Sequence, residues 1–281
     1  MGWSMTTSPT TSLRVGAGEP LLLLHPFVLS HHVWTKVAED LSDTYDIYAP
    51  TMLGHWGRRA LRPSRVGIAG LADDIEAQLD QLGWSTCHIA GNSLGGWVAV
   101  ELARRGRARS LHVIAPGGGW TRFSLTQIIA GTKFTLLFPF LLSGFFVGGL
   151  VTRWPWAYRL FLKIVSADTR AVSHDDAGNL VRAATHNSGF LGFIWSALWS
   201  GGITCLPQLT MPTTLVLCEK DVILTPRRFG KLFLDQLPAS ADRITFFGIG
   251  HVPMLENSAL VTATLRVQLG KSVVTLASDS S

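Results

Sequence analysis

Apolar residues in this chain follow two spacings. Short, largely apolar runs occur at Pro20–His25, Asp46–Ala49, Cys87–Ala90, Ser110–Ala115, Thr213–Cys218 and Arg243–Phe247. They are too short for helices and mostly end at Gly, Pro or charged residues, as strands covered on both faces should. Between them the spacing turns helical. Val33-Trp34 to Leu41, Ile68 to Leu82, Trp97 to Ala103, Pro226 to Leu237 and Asn257 to Leu269 read as helices, with Leu71, Ile75 and Leu79 on one face of the second and Gly83 ending it. The alternation predicts an α/β class: a mostly parallel sheet with helices on both faces.

The alternation stops between Trp120 and about Pro207, where long apolar and aromatic runs carry Trp154, Trp156, Trp195 and Trp199. We read residues 120–206 as a helical insertion after the Ser110–Ala115 strand. The core is then discontinuous, 13–119 and 207–270. Residues 1–12 and 271–281 are expected to be polar tails.

One strand-to-helix junction stands out, Ala90-Gly91-Asn92-Ser93-Leu94-Gly95-Gly96. A Ser on a turn this tight leaves no room for Cβ atoms two residues before and after it, which accounts for Gly91 and Gly95. The turn pushes the Ser93 hydroxyl beyond the sheet's carboxyl edge, and the helix behind aims unpaired N–H groups at the same point. This is the G-x-S-x-G nucleophile elbow. A serine nucleophile also needs a base and a group to orient that base. His251 follows the last strand after Gly250, and Asp221 follows the strand before it, so both fall at strand ends. Glu219 would share a strand face with Asp221 and is the competing acid; the strand's end favours Asp221.

Composition narrows the classes. The chain has 281 residues, 47% hydrophobic and only 15% charged, which excludes a disordered chain and allows a large core. Cys87, Cys205 and Cys218 are odd in number, widely spaced and set in apolar runs, which argues against disulfides and zinc. No metal or cofactor is expected. The net charge of +5 comes partly from Arg58, Arg59, Arg62, Arg65 and from Arg104, Arg105, Arg107, Arg109. The second cluster closes the helix after Ser93, where cations meet the negative end of the dipole, and no nucleic-acid reader motif accompanies either cluster. No nucleic-acid partner is expected. The N-terminus lacks the pattern of a secretory signal, so a cytoplasmic location is expected, with membrane association left open. Met1-Gly2-Trp3-Ser4-Met5-Thr6 fits a loose acylation pattern.

The ordered set His25-Pro26-Phe27, Gly91-Asn92-Ser93-Leu94-Gly95, Asp221 and Gly250-His251-Val252-Pro253-Met254-Leu255-Glu256 resembles the α/β-hydrolase fold family, from about Leu13 to Leu269. The resemblance implies Ser93 as nucleophile, His251 as general base and acid, Asp221 as its orienter, and an oxyanion hole from the Phe27 and Leu94 N–H groups. It also implies that 120–206 caps the pocket. The pocket is expected to include His25, Trp120, Phe138, Trp195 and Val252. Two features depart from the family: His25-Pro26 stands where His-Gly is usual, and Gly54-His55-Trp56-Gly57-Arg58 replaces a Gly-x-Gly-x-Ser loop.

The expected activity is cleavage of a carboxylic ester, or a thioester, of an apolar small molecule. Dehalogenases and epoxide hydrolases of this fold use an Asp nucleophile. Carbon–carbon bond hydrolysis, cofactor-free perhydrolysis and low-turnover binding of an apolar ligand remain alternatives. Phe134–Val151 carries no charge and nears the length of a membrane span, but Pro139, Gly144, Gly148 and Gly149 interrupt it between two strands of one sheet. We therefore expect a cap lining an apolar pocket, with peripheral membrane or subunit contact through the cap as the alternative. Oligomeric state is not legible.

Overall fold

The computed structural model describes residues 10–59, 67–136, 159 and 162–279, with 273–279 described as backbone. Seven strands form one sheet in the order β1-β3-β2-β4-β5-β6-β7: β1 Ser12–Val15, β2 Glu19–Leu24, β3 Tyr45–Pro50, β4 Cys87–Asn92, β5 Ala108–Ile114, β6 Thr213–Cys218 and β7 Asp242–Phe246. All neighbours pair in parallel except β1, which runs antiparallel to β3. The helices are α1 Thr35–Leu41, α2 Ile68–Gln81, α3 Leu94–Arg104, α4 at 125–136, α5 His174–Thr185, α6 Phe190–Ser200, α7 Lys231–Gln236 and α8 Ser258–Asp279.

The run Leu21–Leu24 shows how the pattern becomes two layers. Successive side chains of a strand point to opposite faces. Leu21 and Leu23 pack with Val37 and Leu41 of α1 and Val261 and Leu265 of α8, while Leu22 and Leu24 pack with Leu71 and Ile75 of α2 and Val98 and Leu102 of α3. All four leucines are fully buried, each contributing roughly 2 kcal/mol.

The structure differs from the sequence reading at both ends. Edge strand β1 begins at Ser12, and Leu13 and Val15 pack against the core. The closing helix does not stop near Leu269 before a polar tail but runs to Asp279, with Gln268 and Ser272 buried on it. The second arginine cluster also has a fuller explanation than the helix dipole. Arg105 bonds Asp73 (2.8 Å), Glu76 (2.5 Å) and Glu101 (2.8 Å), and Arg107 bonds Asp80 (2.6 Å), so the cluster ties α3 and its exit to α2. Arg62, Arg65, Phe138, Trp154, Trp156 and the Phe134–Val151 run beyond Leu136 lie outside the described residues.

A buried polar chain crosses the sheet: Glu19 to His88 (2.8 Å), His88 to Ser110 (2.7 Å), Ser110 to His112 (2.8 Å), His112 to Thr214 (3.2 Å), with Gln268 of α8 at 3.4 Å from Thr214. The Glu19 carboxylate only accepts, so His88 donates to it from Nε2, and at the far end the Thr214 hydroxyl donates to Gln268 Oε1. Burial disfavours charge on both imidazoles, lowering His88 and taking His112 to about 3.

His112 and His55, the latter lowered by burial to about 4, are neutral when folded and titrate near their ordinary value when unfolded. Their folded values lie below their unfolded ones, so the stability they favour is complete above about pH 6.5 and is lost as pH falls below it. Each should cost about 1.4 kcal/mol per pH unit over the first units below that point. Urea midpoints are expected to fall between pH 7.5 and 5.5; an unchanged midpoint would contradict neutral burial.

Candidate active site

The junction of β4 and α3 builds the centre. Ser93 has φ 55 and ψ −115, a conformation that side-chain-bearing residues rarely adopt. It is pinned there by its backbone: its N–H donates to Ile114 O (3.0 Å), and its carbonyl accepts from Gly117 N (2.8 Å) and Trp97 N (3.1 Å). The glycines are required by contact. A Cβ on Gly95 would overlap the Leu24 carbonyl, and one on Gly91 would overlap the Gly95 carbonyl. Val28 (φ 59) and Ala115 (φ 42) share the unusual backbone, so the segments leaving three adjacent strands, β2, β4 and β5, are all strained.

His251 and Asp221 are hydrogen-bonded to each other. His251 Nδ1 donates to Asp221 Oδ2 at 2.6 Å, and both side chains are almost completely buried. The other carboxylate oxygen, Oδ1, accepts from the Ile223 and Leu224 N–H groups, both at 2.8 Å, which fixes the carboxylate plane. The competing Glu219 turns outward and accepts from Gly248 N (2.8 Å). Among the described residues the Ser93 hydroxyl makes no hydrogen bond, and Ser93 lines the cavity above the sheet edge.

Three residues that sequence reasoning did not single out hold the His251 loop. Asn92 donates from Nδ2 to Ile114 O (2.9 Å) and to His251 O (3.1 Å), joining the elbow directly to the histidine's backbone. Glu256 accepts from Gly250 N (2.9 Å) and, across to the inserted segment, from Ala167 N (3.1 Å) and Asp168 N (2.9 Å). Val252 N–H donates to Val165 O (2.9 Å). Lys133 plays a similar part for the acid's loop, donating to Val222 O (2.9 Å) and Ile223 O (3.0 Å), with burial lowering its pKa. Glu256 was visible only as part of the His251 motif; nothing in the spacing reveals its partners.

His25 does not line the cavity. It is fully buried, and its Nε2 accepts from Met52 N (2.9 Å), so the proton sits on Nδ1 and is donated to Pro26 O (2.8 Å). Burial holds the ring well below its ordinary pKa. The bond matters because the Pro26 carbonyl and the Phe27 N–H belong to one planar trans peptide. With the carbonyl drawn to His25 and to Leu29 N (3.3 Å), the Phe27 N–H points the other way. Among the described residues neither this N–H nor that of Leu94, first in α3, has a backbone acceptor. Proline at position 26 removes no donor from this peptide.

The cavity opens to solvent, and its empty space together with the solvent at that opening amounts to about 690 Å³. Phe27, Ser93, Leu94, Trp97, Trp120 and Leu224 line it from the core, and Ala130, Gly131, Phe134, Phe193 and Ile194 from the inserted segment. Gln127 is in the wall, but its amide is used: Oε1 accepts from Phe123 N and Nε2 donates to Ala197 O and Leu198 O. Of the expected pocket residues, Trp120 is in this lining. Trp195 is 67% exposed on the outer face of α6, and Val252 is in the core beneath His251. Phe138 lies outside the described residues. His55 reaches the site indirectly, its ring 5.8 Å from both Phe27 and Phe193.

A family model described as the alpha/beta hydrolase family matches residues 21–264. The chain belongs to that family. As a hydrolase of this family it is 42% identical over 194 residues to epoxide hydrolase EphH of Mycobacterium tuberculosis, covering 69% of this chain and 91% of the relative. It is 26% identical over 228 residues to the magnesium-chelatase 30 kDa subunit of Rhodobacter capsulatus, covering 78% and 74%. Among solved structures its fold is similar to a thermophilic esterase from Thermogutta terrifontis, at TM-score 0.70 and 22% identity with 93% of each chain covered. It is also similar to a putative lipase from Acinetobacter baumannii, at TM-score 0.74 and 18% identity over 94% and 88%.

Two variants check the frame. Gly95→Ala should destabilise the protein by about 3 kcal/mol or more, because the overlapping atom is backbone. Glu256→Ala should cost about 1–3 kcal/mol by leaving three N–H groups without their acceptor. Urea denaturation reads both, and a wild-type midpoint in either variant would refute the assignment.

Proposed function

We propose that the protein is a serine hydrolase that cleaves a carboxylic ester, or a thioester, of an apolar small molecule through an acyl-enzyme on Ser93. The observation that carries this reading is the 2.6 Å bond between His251 Nδ1 and a carboxylate whose other oxygen is already committed to two backbone N–H groups. It leaves Nε2 as the basic nitrogen, the form a general base needs. The Ser93 hydroxyl turns to give its proton to Nε2 as its oxygen attacks the ester carbonyl. The oxyanion is held by the Phe27 and Leu94 N–H groups, at the positive end of α3. His251 then gives the proton to the leaving alkoxide or thiolate, and water, deprotonated by the same nitrogen, cleaves the acyl-enzyme as that proton passes on to the departing Ser93 oxygen. No metal or cofactor enters this scheme. The apolar walls favour an apolar acyl or alcohol group, at roughly 25 cal/mol per Å² of surface taken from water.

The likeness to an epoxide hydrolase supports a second reading, and chemistry separates the two. Serine opening an epoxide would form an ether, which water does not cleave, so Ser93 would be consumed. An ester on serine turns over. Epoxide hydrolysis here would need His251 and Asp221 to activate water directly, with Ser93 as a bystander.

A fluorophosphonate is expected to label Ser93, identified by mass spectrometry, and to abolish hydrolysis of medium-chain aryl esters. Ser93→Ala should lower that hydrolysis by about three orders of magnitude or more. Ester turnover that survives in Ser93→Ala would reject the acyl-enzyme, and epoxide turnover surviving there would establish the second reading.

A further inference from the structure

The two helices over the cavity are apolar on both sides. Their inner faces supply Ala130, Phe134, Phe193 and Ile194 to the cavity wall. Their outer faces carry Leu125, Ile128 and Leu136 on α4 and Leu191, Trp195 and Trp199 on α6, between 51% and 73% exposed. The positions fall at helical spacing, so each set forms one stripe. The stripes adjoin. Gln127 of α4 bonds the α6 carbonyls of Ala197 and Leu198, the Trp195 and Trp199 rings lie 5.6 Å apart, and Phe123, itself 63% exposed, meets Trp199 at 6.2 Å.

A helix facing water ordinarily turns charged residues outward. Phe190–Ser200 contains none. Residues 118–136 contain Arg122 and Lys133 and no carboxylate, and residues 187–206 contain no charge. The Lys133 ammonium turns inward, bonded to the Val222 and Ile223 carbonyls and 5.6 Å over the buried Phe229 ring, whereas the Arg122 guanidinium lies at the patch, 4.7 Å over the Phe123 ring.

We propose that this face rests on a lipid bilayer surface carrying anionic headgroups. Exposed indoles suit the boundary between apolar tails and water, and a cation, Arg122, beside an apolar stripe whose segments carry no carboxylate complements anionic headgroups. A second copy of the chain fits less well: a two-fold contact through this face would bring together the Arg122 guanidinium of both copies with no acid from these segments between them. The proposed contact is a peripheral one; among the described residues no helix is long and apolar enough to cross a membrane. Because the same helices line the cavity, an apolar substrate dissolved in the bilayer would be separated from the cavity by these two helices alone. Only this last step rests on the proposed function.

Flotation of the full chain with vesicles of phosphatidylcholine, with and without phosphatidylglycerol, tests the proposal. Wild type and Ser93→Ala should float equally with the anionic vesicles, so failure of the esterase reading would leave this result untouched. Leu191→Ser with Trp199→Ser should lower the partition coefficient about tenfold or more. This pair should retain the wild-type urea midpoint and wild-type turnover of a short soluble ester. Arg122→Glu, which removes none of the patch's apolar side chains, should lower binding to anionic vesicles several-fold and leave binding to phosphatidylcholine unchanged. Absence of flotation, equal flotation of the double variant, or a solution dimer abolished by it would each overturn the proposal.

Discussion

The site depends on how closely the first turn of α3 approaches the sheet. Gly95 lies against the Leu24 carbonyl and Gly91 against Gly95, distances that no side chain would permit. That contact forces the chain to turn at Ser93 with φ 55 and leaves the α3 N-terminus beside the serine. Strained backbone at Val28, Ser93 and Ala115 costs roughly 1–3 kcal/mol at each position. The leucines of β2, packed into both helical layers, offset it. Rigidity below the edge therefore sustains an unfavourable geometry at the edge.

The segment between β5 and β6 does more than line the cavity. Through Glu256 it shares one carboxylate with the His251 loop, through Val165 it accepts from the residue after His251, and through Lys133 it holds the carbonyls that follow Asp221. The loops bearing the imidazole and the carboxylate are thus each bonded to it. A movement of this segment would be felt at both loops, whereas Ser93, tied to Ile114 and Gly117 of the core, would keep its backbone in place.

Histidine serves opposite ends here. At the carboxyl end of the sheet His25 is a neutral donor that orients a peptide, while His251 keeps its Nε2 uncommitted among the described residues. Across the sheet His88 and His112 have both nitrogens engaged in a saturated polar chain. Saturation makes such burial tolerable, and it also removes those rings from acid–base work at neutral pH.

The sequence by itself determined the order of six of the seven strands and of the helices between them outside residues 120–206, the tight glycine-flanked turn at Ser93, and the places of Asp221 and His251 just after strands. These depend on local spacing: which residues a strand can bury, where Gly must stand, and where an apolar run ends. It did not determine that Glu219 turns outward while Asp221 turns to His251, because that choice depends on the Ile223 and Leu224 N–H groups and the Gly248 N–H. Nor did it reveal His25 behind the Phe27 peptide rather than in the cavity, Trp195 on the outer face, or Glu256 and Asn92 around the His251 loop. Each of those assignments requires knowing which distant backbone groups come within about 3 Å, and that is decided only when the sheet, its helices and the inserted segment pack together.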